Sequence, residues 1–394
     1  MLELGGAQKN TLYTLAHLDP RRFQGQLLSG PGGILNNESR ELVAKGVEVS
    51  SIPCLVRPIR PWKDLPALFQ IWRTLRAFKP DILHTHSSKA GIIGRVAGAL
   101  AGVPVIIHTY HGFGFNRAQK PWTRAGLLWA EKLAALFTKK LIFVSEANKR
   151  EAESLGIGRP EQYALIRSGI RKPIRANDRA VRQFKEDYGI PPEAPVVTTI
   201  GPFKPQKNLI DFLRIAKAVS GLHHSCRFLL VGDGEQRKML EKEIRGLSLE
   251  GRVIMTGWLR RSRYRVKRPL DPGLESGPSE IELVLSASDV FIMTPLWEGL
   301  PRSLVEAMSL GVPPVCYDTD GVNDIIKDGE NGFLFKPGEI EPMARQIDRV
   351  LKHEGMRRTV GQAAQTSIGE DFDIDHMVRR QETLYEEMTR RSAS

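Results

Sequence analysis

The sequence predicts an α/β protein of two domains of nearly equal size, each a parallel sheet flanked by helices. Three observations predict it. The chain runs to 394 residues, beyond the length at which a single hydrophobic core stops growing. Short β-rich runs alternate with helical patterns, which is how βαβ units read. The alternation then starts over in the middle of the chain, after a stretch rich in Pro, Arg and Lys.

Taken in order, the first series of strands falls at residues 25–28, 47–52, 81–85, 103–109, 140–145 and 163–167. Residues 168–193 read as a hinge followed by the second domain's first helix, which puts the boundary near 169–176. The second series falls at 195–201, 226–232, 252–257, 289–294, 313–318 and 332–335. Within it, residues 260–279 (RRSRYRVKRPLDPGLESGPS) join a charge run to Pro and Gly without any periodicity, and read as a loop insertion. Unstructured loops longer than ~12–15 residues inside a compact domain are functional or disordered as a rule. Helical patterns cover 337–353 and 355–367, and a last helix over 375–388 carries Met377, Leu384, Tyr385 and Met388. The expected division is therefore 1–170, 171–370, and a C-terminal helix in 371–394 that packs back on the first domain.

Composition bounds the function. Hydrophobic residues at 41% and charged residues at 26% are globular averages. No apolar run approaches the ~20 residues that span a bilayer. Residues 1–8 offer no basic start, apolar run or cleavage site, so the expected location is the cytoplasm. Cys54, Cys226 and Cys316 are odd in number, far apart and in apolar surroundings, which fits reduced thiols. The net charge of +12 calls for an acidic partner: nucleic acid, an anionic lipid surface or a phosphate-bearing substrate. Nucleic-acid binders interleave aromatics with a basic stripe. Here the basic residues are spread, with one dense cluster at 260–268, and the reading favours a membrane surface plus a phosphorylated substrate.

Two segments can carry chemistry. Residues 200–208 (IGPFKPQKN) read as a strand end, Gly201, a turn and a helix start, flanked by Lys204 and Lys207. Backbone N–H groups at a helix start attract phosphate, and nearby ammonium groups stabilise a departing diphosphate. A plain βα turn with solvated lysines reads the same way. The second segment, 298–306 (EGLPRSLVE), follows a strand and runs into a helix, so that Glu298 and Glu306 sit at different depths of one crevice. Carboxylates accept paired hydrogen bonds from vicinal hydroxyls, and ligands of open α/β sheets lie at the carboxyl ends of the strands. The alternative is a capping Glu and a solvated helix Glu. His84, His86, His108 and His111 raise a zinc reading, but no Cys or Glu completes a ligand spacing. Asp318–Asp320 (DTD) mimics a metal-binding triplet, though three letters prove little.

Together the segments EGLPRSLVEAMSLGVPPVCYD, GPFKPQKN, LELGGAQKN, DILHTHSSKAGIIGR and HTYHGFGF resemble family 4 of the retaining glycosyltransferases over almost the whole chain. The resemblance implies the GT-B architecture, two Rossmann-like α/β domains facing a cleft, and a metal-independent transfer with net retention. It implies a nucleotide-sugar substrate and no cofactor; the donor is read as a UDP-sugar first and a GDP-sugar second, and a lipid-linked or envelope saccharide acceptor fits the basic charge, the cytoplasmic setting and the lack of a spanning run. By position, Glu298 contacts the donor sugar, backbone N–H groups around Leu300–Arg302 meet the phosphates, with Gly299 and Pro301 in the same donor-binding turn, and Glu306 binds the ribose. Lys207 matches the family's lysine, whereas Pro202 stands at the family's arginine, leaving Lys204 to supply that charge. An ammonium cannot reproduce a guanidinium fork. His111 matches the histidine that faces the transferred sugar, and Gly5 and Gly6 resemble the glycine loop on the acceptor side. In the family that loop follows a central strand, so the first domain is expected to lack its first strand. Two other readings share these features: a nucleotide-sugar epimerase, and a non-catalytic sugar- or nucleic-acid-binding protein.

Overall fold

The computed structural model describes residues 6–32, 42–56, 58–115, 119–259 and 278–393. By internal contacts the chain divides into two units, Met1–Gly169 with Asp371–Ser394, and Ile170–Glu370. Every pairing between named strands is parallel, and all twelve expected strands are present.

In the first unit β1 (Gln26–Ser29) pairs with β2 (Glu48–Ser51). A four-stranded sheet follows in the order β3 (Ile82–His86), β4 (Val105–Tyr110), β5 (Lys140–Phe143), β6 (Tyr163–Leu165). Helix α1 (Gly6–His17) precedes β1 and α2 (Pro61–Phe78) precedes β3; α3 (Ser88–Ala101), α4 (Pro121–Leu136) and α5 (Glu146–Leu155) fill the crossovers up to β6. The expectation of an absent first strand falls on residues 1–5, which lie outside the described residues.

Strand β4 is buried at all six positions, as a parallel strand covered on both faces must be. Three glycines on one side of α3 let that helix lie close on the sheet. A Cβ at Gly91 would fall 2.4 Å from the His108 ring, and one at Gly98 would fall 2.5 Å from Leu83. Beside them Arg95 of α3 reaches Glu131 of α4, both fully shielded from water. The Tyr110 hydroxyl donates to the same Glu131 carboxylate at 2.8 Å. Burial, reinforced by the Glu131 charge, pushes the Tyr110 phenol well up from its ordinary value and keeps it a donor.

The second unit holds β7 (Val196–Ile200), β8 (Arg227–Val231), β9 (Val253–Gly257), β10 (Val290–Met293), β11 (Pro314–Tyr317) and β12 (Phe333–Phe335) in the order β12-β11-β10-β7-β8-β9. Its helices are α6 (Asp178–Asp187), α7 (Leu209–Leu222), α8 (Arg237–Gly246), α9 (Glu280–Ser286), α10 (Arg302–Ser309), α11 (Asp320–Asn323), α12 (Ile340–Lys352) and α13 (Glu354–Ser367). The core packs Val197, Phe212, Phe228, Ile292, Val315 and Ile347 together. Strands β7 and β10 are neighbours far apart in sequence, so the turns leaving their carboxyl ends diverge and open a crevice. Of the expected loop, 260–277 lies outside the described residues. Ser279 belongs instead to α9, whose N-terminus it closes in a capping box with Glu282.

The C-terminal helix α14 (Ile374–Ala393) belongs to the first unit. Tyr13 donates to Asp375 at 2.6 Å and the Asp19 amide to Glu382 at 2.7 Å. Cys226 and Cys316 are buried and Cys54 half-buried, all as free thiols.

Candidate functional site

The crevice of the second unit is built by two loops bonded to each other. After β7, Gly201 donates to the Val231 carbonyl at 2.9 Å, and residues Pro205–Lys207 form a single 3-10 turn ahead of α7. After β10, the chain runs along that turn. Leu296 donates to the Gln206 carbonyl at 2.9 Å, Gln206 Nε2 to the Trp297 carbonyl at 2.8 Å, and Thr294 Oγ1 to the Asn208 carbonyl at 3.0 Å. Asn208 can turn the chain there because its backbone takes the left-handed conformation, φ 46°, which Asn tolerates better than most side chains. The stitching brings Lys207 Nζ onto Glu298 Oε1 as a nearly buried ion pair.

The remaining candidates follow from the same turn. Gly299 and Leu300 lead into Pro301, which caps α10 from an extended backbone, φ −78° and ψ 99°. Arg302 opens that helix and lies 3.9 Å from Glu306 one turn on. Burial pulls the Arg302 guanidinium down from its ordinary value, and Glu306 opposes the shift. Gly321 closes the far wall, where a Cβ would fall 1.6 Å from the Gly299 carbonyl oxygen. Lys204 sits half-buried at the start of the 3-10 turn. Asp318 accepts from Asn323 Nδ2 at 2.9 Å, so the DTD triplet serves the local turn at α11. Among the described residues no three His, Cys, Asp or Glu side chains are grouped to hold a metal ion.

In the first unit the histidines gather at the carboxyl ends of β3 and β4. His84 and His86 share one face of β3, with ring centres 4.3 Å apart. His86 Nδ1 meets His111 Nε2 at 3.1 Å, His84 bridges Tyr385 at 2.6 Å and Thr109 at 2.7 Å, and His108 meets Thr85 at 2.9 Å. Burial lowers His84 and His108 well below the ordinary imidazole value and takes His86 to about 4. His86, His111 and Thr109 line a pocket with Asn10, Ser168 and Gln381. Gly6 is the first residue of α1. Gly5 lies outside the described residues.

Sequence reasoning missed Asn10, Gln381 and Tyr385. Asn10 is almost wholly buried, and among the described residues its side-chain amide has no hydrogen-bond partner, an arrangement that costs ~1–3 kcal/mol. The run around it, Gln8, Lys9 and Thr11, is itself polar, so nothing in the local pattern marks it.

Comparison with known proteins agrees with this layout. Residues 5–169 match the glycosyl transferase 4-like domain and residues 194–353 match glycosyl transferases group 1. The chain is 29% identical over 98% of its length, and 94% of the relative's, to an Escherichia coli UDP-Gal:alpha-D-GlcNAc-diphosphoundecaprenol alpha-1,3-galactosyltransferase. It is 20% identical over 89% of its length, and 88% of the relative's, to the capsular polysaccharide biosynthesis glycosyltransferase CapM of Staphylococcus aureus. In fold it resembles Anabaena HepE, solved with UDP and glucose, at a TM-score of 0.79 and 22% identity, over 98% of this chain and 97% of that one.

Proposed function

We propose, from the premise that this chain belongs to the GT-B glycosyltransferases that join a 4-like domain to a group 1 domain, that it moves a hexose from a UDP-sugar to a lipid-linked saccharide. The transfer proceeds with net retention, without a metal ion, on the inner face of the cytoplasmic membrane. The donor and acceptor classes are those in the name of the Escherichia coli relative.

The observation that carries the reading is the Lys207–Glu298 pair at the crevice of the second unit. Departure of a nucleoside diphosphate builds negative charge, which fixed positive groups stabilise without reorganising. Lys207 is one such group, and the N–H groups entering α10 are others. Glu298 accepts hydrogen bonds from the donor sugar, and Glu306 from the ribose. While no donor is bound, Lys207 and Glu298 satisfy each other. A donor replaces both halves of the pair, phosphate for the carboxylate and hydroxyls for the ammonium, so that neither charge is left buried and unmatched. The positive lining supports a metal-free reaction. With no protein nucleophile assigned, retention follows from front-face attack, the leaving phosphate taking the acceptor's proton.

Substitution separates the roles. Lys207→Ala lowers turnover by roughly 10²–10³-fold, whereas Glu306→Ala chiefly weakens UDP binding, and chelation leaves the rate unchanged. Wild-type rates and unchanged donor affinity in both variants would remove the site assignment.

A further inference from the structure

The outer face of the helix layer in the first unit is apolar. Helix α4 turns Trp122, Trp129, Leu133 and Leu136 outward, with Trp122 70% and Leu136 75% exposed. Ala125 and Gly126 complete that row, so it carries no charge along 16 residues, about 24 Å of helix. Helix α2 does the same over its first half with Trp62, Leu65 and Phe69, then continues the row with Arg73 and Arg76. The two helices flank α3 on one side of the sheet, since each packs against it and successive right-handed crossovers stay on one face. A helix of a water-soluble surface shows the reverse pattern.

Charge identifies what the face meets. Residues 57–140 hold fourteen Lys and Arg against three Asp and Glu, a net +11 within a chain whose total is +12. Two of the three acids are already matched, Asp64 by Lys89 and Glu131 by Arg95. Lys120 lies 5.4 Å above the Trp122 ring. Residues 260–268 add six Lys and Arg without an acid, so the positive excess is shared by two segments, of which 57–140 carries the exposed tryptophans. Tryptophan rings settle at the headgroup level of a bilayer, and basic side chains beside them meet anionic lipid. A second copy would bring two positive faces together, each with Arg73 and Arg76 on α2 and Lys120 beside Trp122. A nucleic acid would stack on the rings but leave Leu65, Leu133 and Leu136 in water. Among the described residues no helix is long and apolar enough to cross a membrane, and the rows fit a helix lying in the interface.

We infer that the outer face of α2 and α4 docks on an anionic lipid surface, Trp62, Trp122 and Trp129 entering the headgroup layer and Arg73 and Arg76 contacting its phosphates. The inference rests on, and deepens, the reading of a lipid-borne acceptor. The test is cosedimentation of the full chain with vesicles of phosphatidylglycerol and phosphatidylcholine, with pure phosphatidylcholine alongside. Wild type pellets with the anionic vesicles and is released by salt. Arg73→Gln with Arg76→Gln weakens anionic binding roughly thirtyfold, and Trp122→Gln with Trp129→Gln roughly tenfold or more, while both variants keep the wild-type Tm and its rise with UDP. Wild-type vesicle binding by both pairs overturns the inference. So does a dimer in sedimentation equilibrium that the tryptophan pair abolishes, or release of the protein from vesicles by a single-stranded oligonucleotide. Vesicle docking without any rise in Tm with UDP would instead count against the proposed function, so the two fail separately.

Discussion

Helices α12 and α4 are both amphipathic and face opposite ways. Helix α12 buries Met343, Ala344, Ile347, Val350 and Leu351 against the second unit's sheet and leaves Glu341, Arg345, Arg349 and Lys352 in water. Helix α4 buries Glu131 with two alanines and leaves two tryptophans and two leucines in water. Periodicity measures how wide an apolar stripe is; it does not say which side the stripe faces. For α12 the sheet decides. For α4 the ion pair to Arg95 sits inward among Ala134, Ala135 and the packed Leu127 and Leu128, and the outer stripe is left for something outside the chain.

The comparison breaks most sharply at the ion pair. Glu131→Ala leaves Arg95 charged, buried and unmatched, and strips the Tyr110 hydroxyl of its acceptor. Removing one partner of a buried pair costs ~3–5 kcal/mol, so the first unit is expected to melt far earlier by circular dichroism or calorimetry. A change of under ~1 kcal/mol would mean that α4 is held inward by packing alone.

A smaller loss follows acid. The folded chain protonates His86 only near pH 4, the unfolded chain near 6.5. Between those values the unfolded state binds more protons, so stability is complete above pH 6.5 and falls as pH drops toward 4. His86 alone accounts for roughly 3 kcal/mol over that window, and His84 and His108 shift in the same direction. His86→Gln should flatten the decline of Tm between pH 7 and 5. An identical slope in wild type and variant would locate the titration elsewhere.

Much of this was readable from residues alone. Parallel strands covered on both faces appear as continuous apolar runs, and so every strand from β1 to β12 lies within two residues of its expected limits. Lys207 and Glu298 stood out because each sits in a local strand-turn-helix segment. Their contact did not, since it joins positions 91 residues apart through backbone bonds from Gln206 and Thr294. The histidine pocket was half visible: His86 and His111 mark strand ends, but Asn10 and Gln381 come from α1 and α14, near opposite ends of the chain. Nor could α4 be oriented, because the partner of Glu131 lies on another helix.

The smallest expected effect is the sharpest test of the contrast. Trp129 and Leu133 lie on α4's outward row, 65% and 51% exposed, and take little area out of water on folding. Exchanging them for Gln therefore forfeits little hydrophobic free energy, and Gln keeps good helix propensity. The double variant is expected to melt within ~0.5 kcal/mol of wild type, as surface substitutions do. In α12, Ile347 is fully buried, and Ile347→Ala should cost ~2–5 kcal/mol through lost transfer energy and the cavity left behind. Equal losses at the two sites, read by calorimetry on protein free of lipid, would mean that α4's row is already covered by the chain itself. A loss confined to Ile347 leaves that row to be covered by an external partner.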